Sequence, residues 1–419
     1  MDNAIVSCVQ QRMGIMADHE EFVKEAHRFL NQARSKAAEL AIFPELVGLM
    51  LAPPLISGFK LGFIKRADQG ARPTAGAVSR QLGRVSGAAA GMIGGGFRGS
   101  LTRLLAKNSD LLRDTYVETF GSLAREYGLA IVGGSLYVYD VETDTLKNRA
   151  YLFDVDGKVL GYQDKLNLAP DEMDLASPGA ELNAIVTRFG RVGLLMGRDA
   201  LYPELARLLT VQGADLLVGI AASPGAAQAG VIRRAMALRA EENQVFAASS
   251  FLLGPNYLSK VGDEDYMGQS ALFAPISMTS KGDGLLVQAG TNRTEGLIAA
   301  ELDAKALDDL RLNSGFRPRQ EMHLGSHGYL LAELYEQGLT LEQAVQQNVA
   351  PVIAFEPLPE IEDAEPGAGL EAELEAGVDI EAADEVDAGL EEGEAAELTP
   401  SADGLASDSL PASVPEALS

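Results

Sequence analysis

Residues 190–207 read GRVGLLMGRDALYPELAR, and this stretch joins the two kinds of element that decide the fold. The apolar run Arg191–Met196 predicts a buried β-strand, and Tyr202–Gln212 predicts an amphipathic helix soon after it. Continuous apolar strands that alternate with such helices are typical of sheets covered on one face by helices. The stretch therefore predicts an α/β protein.

The same alternation continues along most of the chain. A helix is expected after Asp18, whose carboxylate suits an N-cap, with Glu20 and Glu21 in the first turn. Its apolar positions have helical spacing and are Phe22, Ala26, Phe29, Leu30 and Ala33. Further strands are predicted at Ala4–Val9, Leu40–Phe43, Ala130–Tyr139, Ala150–Val155, Asp215–Ala221 and Val245–Ser250, and further helices at Leu111–Tyr127 and Ala229–Asn243.

Charge is distributed very unevenly along the 419 residues. The formal net charge is −26, but the stretch 356–419 contains twenty Asp or Glu and no Lys or Arg, so residues 1–355 carry only −6. This acidic tail has no aromatic residue, and we predict that it is disordered. Residues 51–107 form a Gly- and Ala-rich insert with nine Lys or Arg and one acid, which gives it a net charge of +8.

Several classes of protein are disfavoured by composition. The single cysteine, Cys8, excludes an internal disulfide and a thiolate metal cluster, and the four histidines lack metal-ligand spacing. The first residues do not resemble a signal peptide, and no stretch has the roughly 20 apolar residues of a membrane span. We expect a cytoplasmic protein without cofactor or metal ion. Nucleic-acid binding is not expected, because the basic insert lacks stacking aromatics and the acidic tail would repel phosphates.

Several motifs occur in a fixed order. Phe43-Pro44-Glu45 closes the second strand, Asp164-Lys165-Leu166-Asn167-Leu168 follows a hairpin-like segment, and residues 190–207 come next. Downstream lie RAEEN at 239–243, GQS at 268–270 and EGLIAAELD at 295–303. Together they resemble the motifs of the nitrilase, or carbon–nitrogen hydrolase, superfamily over residues 4–50 and 108–312. The resemblance implies a nitrilase-like α-β-β-α sandwich over residues 1–320, with a C-terminal helical extension at 321–355 and the acidic tail at 356–419.

The resemblance also implies roles for individual residues. Glu45 would be the general base, Lys165 would stabilise the oxyanion, and Glu172 would be a second carboxylate of the site. In the family a cysteine thiolate attacks the amide or nitrile carbon, and Gly197 occupies that position here. Arg198 stands where the family has an aromatic residue. It is expected to pair with Glu45 or Glu172, or to bind an anionic ligand.

Other residues were considered as replacements for the missing thiol or as ligand contacts. Cys8 lies in the first strand, away from the nucleophile position, whereas Ser223 follows the next strand and is the nearest hydroxyl. We expect Arg198, Asn167 and Ser223 to contact substrate. The basic insert is interpreted as a lid over the cleft, as a surface that docks on anionic lipid, or as a solvated or oligomer-contacting excursion.

Two functional hypotheses remain. In the first, the chain is a catalytically impaired pseudoenzyme that binds a small amide-like or carboxylate ligand or serves as an assembly subunit. In the second, it is an active amidase- or nitrilase-type hydrolase that uses a displaced nucleophile or a water activated by Glu45. The partners expected are a small amide, nitrile or carboxylate ligand, a second copy in a homodimer or larger homo-oligomer, and peripheral membrane contact through 51–107.

Overall fold

The structure is a computed structural model that describes residues 1–55, 101, 105, 108–258 and 264–321, together with the single residues 336, 338 and 343. The chain divides into two compact units, Met1–Ala332 and Glu333–Ser419. Of the predicted regions, most of the insert 51–107, most of the extension 321–355 and the whole tail 356–419 lie outside the described residues. The fold below is that of the first unit.

Strands and helices alternate through this unit. The described strands are β1 (Ala4–Arg12), β2 (Leu40–Ile42), β3 (Ala130–Asp140), β4 (Thr145–Phe153), β5 (Val159–Asp164), β6 (Ile185–Thr187), β7 (Gly190–Met196), β8 (Ala214–Ala221), β9 (Phe246–Leu253), β10 (Ala271–Phe273), β11 (Leu285–Gln288) and β12 (Gly296–Leu302). The described helices are α1 (His19–Ser35), α2 (108–127), α3 (Pro203–Val211), α4 (Ala226–Asn243), α5 (Ala304–Asn313) and α6 (Pro318–Glu321). Short 3₁₀ helices cover Val47–Leu51, Pro53–Leu55, Gly197–Leu201 and Ile276–Met278.

The strands form two mixed sheets joined at one corner. In the first sheet, β1 pairs parallel with β2, and β2 with β3, while antiparallel pairs add β4, β5 and β12. In the second, β7, β8 and β9 are parallel, and antiparallel pairs add β6, β10 and β11. The sheets meet where Gln11 and Arg12 of β1 pair with Leu252 and Leu253 of β9.

The apolar core is arranged in layers because side chains on a strand alternate between its two faces. Val6 and Cys8 of β1 pack with Leu194 of β7 and Val218 of β8 between the two sheets. On the outer face of the first sheet, α1 and α2 pack against β1 to β4. On the outer face of the second sheet, α3 and α4 pack against β7 to β9. These four layers confirm the predicted nitrilase-like α-β-β-α sandwich.

The first helix shows how closely sequence pattern and packing agree. Asp18 is its N-cap and accepts a hydrogen bond from the Glu21 backbone N–H at 2.8 Å. The helix buries the five predicted apolar residues, which are Phe22, Ala26, Phe29, Leu30 and Ala33.

Within the part of the chain that is described, no helix has the length and apolar character required to cross a membrane.

A β-bulge in β3 positions the segment that follows β2. The register of β3 against β4 shifts between Val132 and Ser135, and Gly134 there has φ +72°. A Cβ at Gly134 would clash with the carbonyl oxygen of Pro44. The Ser135 hydroxyl accepts a hydrogen bond from the Leu46 backbone N–H at 2.9 Å. The bulge therefore holds the segment Pro44–Leu46 against the sheet edge.

We predict that Gly134→Ala destabilises the protein more than Gly128→Ala does. Both glycines have positive φ, so both substitutions place alanine in the left-handed region, at a cost of roughly 1–2 kcal/mol. Nothing lies within 4 Å of a Cβ at Gly128, whereas a Cβ at Gly134 meets the Pro44 carbonyl. Urea unfolding followed by circular dichroism should therefore show an additional loss of about 1–3 kcal/mol for Gly134→Ala. Equal losses for the two variants would refute this account of the bulge.

Candidate functional site

Glu45 lies three residues after the end of β2 and is buried beside the sheet edge, with 1% of its surface exposed. Its Oε1 accepts hydrogen bonds from Lys165 Nζ at 2.8 Å and from Asn148 Nδ2 at 3.0 Å. Its Oε2 accepts one from the Ala222 backbone N–H at 2.8 Å. The carboxylate is thus held from three directions, by β4, by the residue that follows β5 and by the residue that follows β8.

Lys165 follows β5 directly and bridges two carboxylates. Its backbone N–H donates to the Asn148 carbonyl at 2.8 Å, which continues the β4–β5 ladder by one step. Its Nζ donates to Glu45 Oε1 at 2.8 Å and to Glu172 Oε2 at 2.6 Å. The side chain is 5% exposed, so both ion pairs are shielded from water.

Glu172 completes the cluster from the loop after Lys165. Its Oε2 also accepts the Ala169 backbone N–H at 2.8 Å. Its Oε1 accepts longer hydrogen bonds from Asn148 Nδ2 at 3.3 Å and Tyr137 Oη at 3.4 Å. Asn148 therefore touches both carboxylates, and it lies in the middle of β4 opposite Tyr137 of β3.

Burial and ion pairing act in opposite directions on the three charged groups. Burial raises the pKa of Glu45, and the attraction of Lys165 offsets this only in part. Burial also works against ionisation of Glu172, but the ammonium of Lys165 and the hydrogen bonds to Glu172 lower its pKa overall. For Lys165 the two carboxylates outweigh burial and raise its pKa. Of the two carboxylates, Glu45 therefore takes up a proton more readily, which suits a general base.

Gly197 lies at the end of β7 and faces this cluster. It has φ +50°, a conformation that glycine adopts without strain. An ideal Cβ at this position would lie 3.0 Å from Glu45 Oε2 and 3.3 Å from Lys165 Nζ. Any side chain at position 197 would therefore start between the carboxylate and the ammonium.

A cavity of about 140 Å³ opens beside Gly197. Of the residues predicted for the site, the cavity is lined by Glu45, Lys165, Glu172, Gly197, Arg198 and Ser223. Other lining residues, which the sequence had not indicated, include Tyr137, Asp171, Gln228, Asn256 and Tyr266. Among the described residues, no group of three or more His, Cys, Asp or Glu side chains is arranged to hold a metal ion.

Asn167 and Arg198 do not make the contacts that were predicted for them. Asn167 is not part of the cavity lining, because its side-chain amide donates to Asp199 Oδ1 at 2.9 Å. The expected ion pair of Arg198 with Glu45 or Glu172 is not formed, and both carboxylates pair with Lys165 instead. Asp199 itself accepts from the backbone N–H groups of Leu166 and Asn167, and so ties the loop after β5 to the end of β7.

Sequence comparison identifies the family. A family model described as carbon-nitrogen hydrolase matches residues 5–312 of the chain. The chain belongs to the carbon–nitrogen hydrolase family. Both the matched range and the four-layer fold agree with the resemblance found in the sequence motifs.

Individual relatives within this family are distant. The probable hydrolase YhcX of Bacillus subtilis is 29% identical over 206 residues, which cover 49% of this chain and 39% of the relative. The omega-amidase NIT3 of Saccharomyces cerevisiae is 30% identical over 113 residues, which cover 25% of this chain and 39% of the relative. These two matches span well under two thirds of each relative's own length.

Solved structures support the fold. The crystal structure of yeast Nit3 superposes with a TM-score of 0.53 at 21% identity, covering 77% of this chain and 97% of Nit3. A Glu→Gln mutant of the amidase from Nesterenkonia sp. AN1 superposes with a TM-score of 0.53 at 18% identity, covering 80% of this chain and 97% of the amidase. That mutant shows covalent addition of the acetamide moiety of fluoroacetamide at its active-site cysteine.

We predict that Lys165→Met destabilises the protein strongly and in a pH-dependent way. The substitution leaves Glu45 and Glu172 buried together without their cation, at a cost of about 3–5 kcal/mol near neutral pH. Burial and mutual repulsion then raise both carboxyl pKa values. Because a group with a raised pKa in the folded state loses stability as pH rises through that pKa, the deficit should be larger at about pH 8 than at about pH 5.

The matched control is Arg188→Met. Arg188 pairs with Glu39 at 3.2 Å, but the side chains are 49% and 39% exposed, so its removal should cost less than about 1 kcal/mol. Chemical denaturation at both pH values measures the two variants side by side. If Lys165→Met proves no more costly than Arg188→Met at about pH 8, the cluster is not the buried ion-pair network described above.

Proposed function

We propose that this family member has lost thiol-dependent hydrolysis and that its cavity binds a small amide-like or carboxylate ligand. The observation that carries the proposal is the absence of a side chain at Gly197, at a point 3.0 Å from Glu45 Oε2 and 3.3 Å from Lys165 Nζ. Covalent amide hydrolysis needs a nucleophile at such a point, between a proton acceptor and a cation. Glycine supplies no atom that can attack.

The chemistry that a thiol would perform here follows from the neighbouring groups. A thiol at position 197 would give its proton to Glu45 as its sulfur attacks the amide carbon, and Glu45 would pass that proton to the amine that departs when the C–N bond breaks. Lys165 Nζ would donate a hydrogen bond to the oxyanion that forms on the former carbonyl oxygen. With glycine the first step has no nucleophile, and removing a covalent nucleophile in other enzymes lowers the rate on the order of 10⁶-fold.

Neither of the two other candidate nucleophiles is activated. Cys8 packs in the apolar layer between the sheets, and burial raises the pKa of its thiol. Ser223 reaches the cavity, but its Oγ has no hydrogen-bond partner among the described residues, so no base is placed to take its proton. An attacking hydroxyl requires such a base within hydrogen-bonding distance.

One observation favours a second candidate, direct attack by water. Lys165 Nζ uses two of its three donors on carboxylates, and Glu45 Oε2 accepts one hydrogen bond, from the Ala222 N–H. A water molecule in the space beside Gly197 would then accept a hydrogen bond from Lys165 Nζ and donate one to Glu45 Oε2. In this alternative Glu45 would deprotonate the water, and the chain would remain a slow C–N hydrolase.

Ammonia release separates the two candidates. We predict that the purified protein incubated with a panel of primary amides, nitriles and N-carbamoyl compounds releases no ammonia above the level of Glu45→Gln, because no nucleophile is present. Gly197→Cys should gain measurable release, since its thiol would start between Glu45 and Lys165.

Gly197→Ala is the matched control, because it fills the same space and imposes the same backbone conformation without a thiol. Steady turnover by the unaltered protein that disappears in Glu45→Gln would overturn the proposal and establish the water mechanism. A gain in Gly197→Ala equal to that in Gly197→Cys would show that the thiol is not responsible.

A further inference from the structure

A second cavity, of about 300 Å³, lies at the corner where the two sheets meet. Gln11 and Arg12 of β1, whose backbone pairs with β9 and so joins the sheets, form part of its wall. Among the described residues, it shares no lining side chain with the cavity beside Gly197. Small-molecule pockets have volumes of roughly 300–1,000 Å³, so this cavity is large enough for a ligand of its own.

The side-chain amide of Gln11 is poorly satisfied in this wall. Gln11 is 2% exposed, and its Oε1 has no hydrogen-bond partner within the described part of the chain. Its Nε2 donates to the sulfur of Met50 at 3.9 Å, and a thioether sulfur is a weak acceptor. The neighbouring Gln10 is as deeply buried, but its Nε2 donates to two backbone carbonyls and its Oε1 accepts from the Ser270 backbone N–H. A buried oxygen without a donor is unfavourable, and a ligand in the cavity can supply that donor to Gln11.

The charged side chains around the cavity cancel one another. Three arginines and three glutamates line it, and these are Arg12, Arg28, Arg293, Glu21, Glu25 and Glu295. Arg28 pairs with Glu25 at 2.9 Å and with Glu295 at 3.3 Å. The formal charge of the lining is therefore zero, so neither an anion nor a cation gains a net attraction there. This balance favours a neutral ligand.

Three buried methionines supply the apolar part of the wall. Met13 and Met16 follow β1, and Met50 lies in the 3₁₀ helix Val47–Leu51. Thioether side chains adapt to the shape of a ligand and make favourable contacts with aromatic rings. A dry apolar cavity of about 150 Å³ holds benzene, so the larger cavity here has room for an aromatic molecule of one or two rings.

We propose that this cavity is a second ligand site, which takes a small neutral aromatic molecule with one N–H or O–H group. Gln11 Oε1 accepts the hydrogen bond from that group, and the three methionines pack against the ring. The site goes beyond the proposed function, because it requires neither Glu45 nor any property of Gly197.

Ligand pairs that differ in the donor test the hydrogen bond. Indole is paired with benzofuran, and phenol with fluorobenzene, because the second member has nearly the same shape but lacks the N–H or O–H group. Isothermal titration calorimetry on the full chain gives each dissociation constant. We expect indole or phenol to bind about tenfold more tightly than its partner, since only a donor satisfies Gln11 Oε1. Equal binding within both pairs, or no binding by any of the four compounds, would overturn the proposal.

The substitution Gln11→Met locates the preference. Methionine has a similar length but no amide oxygen, so indole and benzofuran should bind this variant equally. The matched control is Gln228→Met, which makes the same change in the cavity beside Gly197 and should keep the preference for indole. A preference that persists in Gln11→Met, or that is lost in Gln228→Met, would place the ligand elsewhere and contradict the proposed site.

Nuclear magnetic resonance of the unaltered protein places the ligand without any variant. Methionine methyl groups are labelled with carbon-13, and indole is added, because its ring current shifts the resonances of methyl groups that it contacts. The methyl resonances of Met13, Met16 and Met50 should shift, whereas that of Met236, which is buried beneath α4, should not. If indole binds and leaves all three cavity methionines unshifted, the proposal is wrong.

Discussion

The site depends on one buried interaction, the ammonium of Lys165 held between the carboxylates of Glu45 and Glu172. Its two N–O distances are 2.8 and 2.6 Å, and all three side chains are largely removed from water. Two carboxylates in such a place are tolerated only because a cation lies between them. The bulge at Gly134, the β4–β5 hairpin and the Asp199 contacts all serve to place these groups at the same sheet edge.

Glycine at position 197 suits both the local backbone and the cluster beside it. The turn after β7 has positive φ at that residue, so glycine relieves backbone strain and also leaves a space next to Glu45 and Lys165. Under the proposed function, Glu45 and Lys165 are the acid–base and cationic groups beside that space. On the same proposal, this polar network without an attacking atom is suited to binding a ligand.

The sequence was informative wherever a periodic apolar pattern fixed the local structure. Helix α1 buries the five residues predicted, and β7 and β8 follow the predicted apolar runs within one residue. The strand predicted at Ala150–Val155 begins instead at Thr145, because polar Lys147, Asn148 and Arg149 conceal its start. Contacts between distant segments were not predictable, because they depend on side-chain directions that one sequence does not encode locally. Examples are the hydrogen bonds of Asn148 to both carboxylates and of Asn167 to Asp199. The absence of an ion pair between Arg198 and Glu45 or Glu172 is another. The oligomer, the membrane contact and the role of the basic insert stay predictions.

The most direct measurement is peptide mapping by mass spectrometry after the protein is incubated with fluoroacetamide and quenched in acid. Gly197→Cys serves as the positive control, and its peptide containing residue 197 should gain the mass of the acetamide group. The account predicts that the unaltered protein under identical conditions carries no adduct on any residue that lines the cavity. An adduct on Ser223, Glu45 or another cavity residue of the unaltered protein would contradict the claim that this site has no covalent nucleophile.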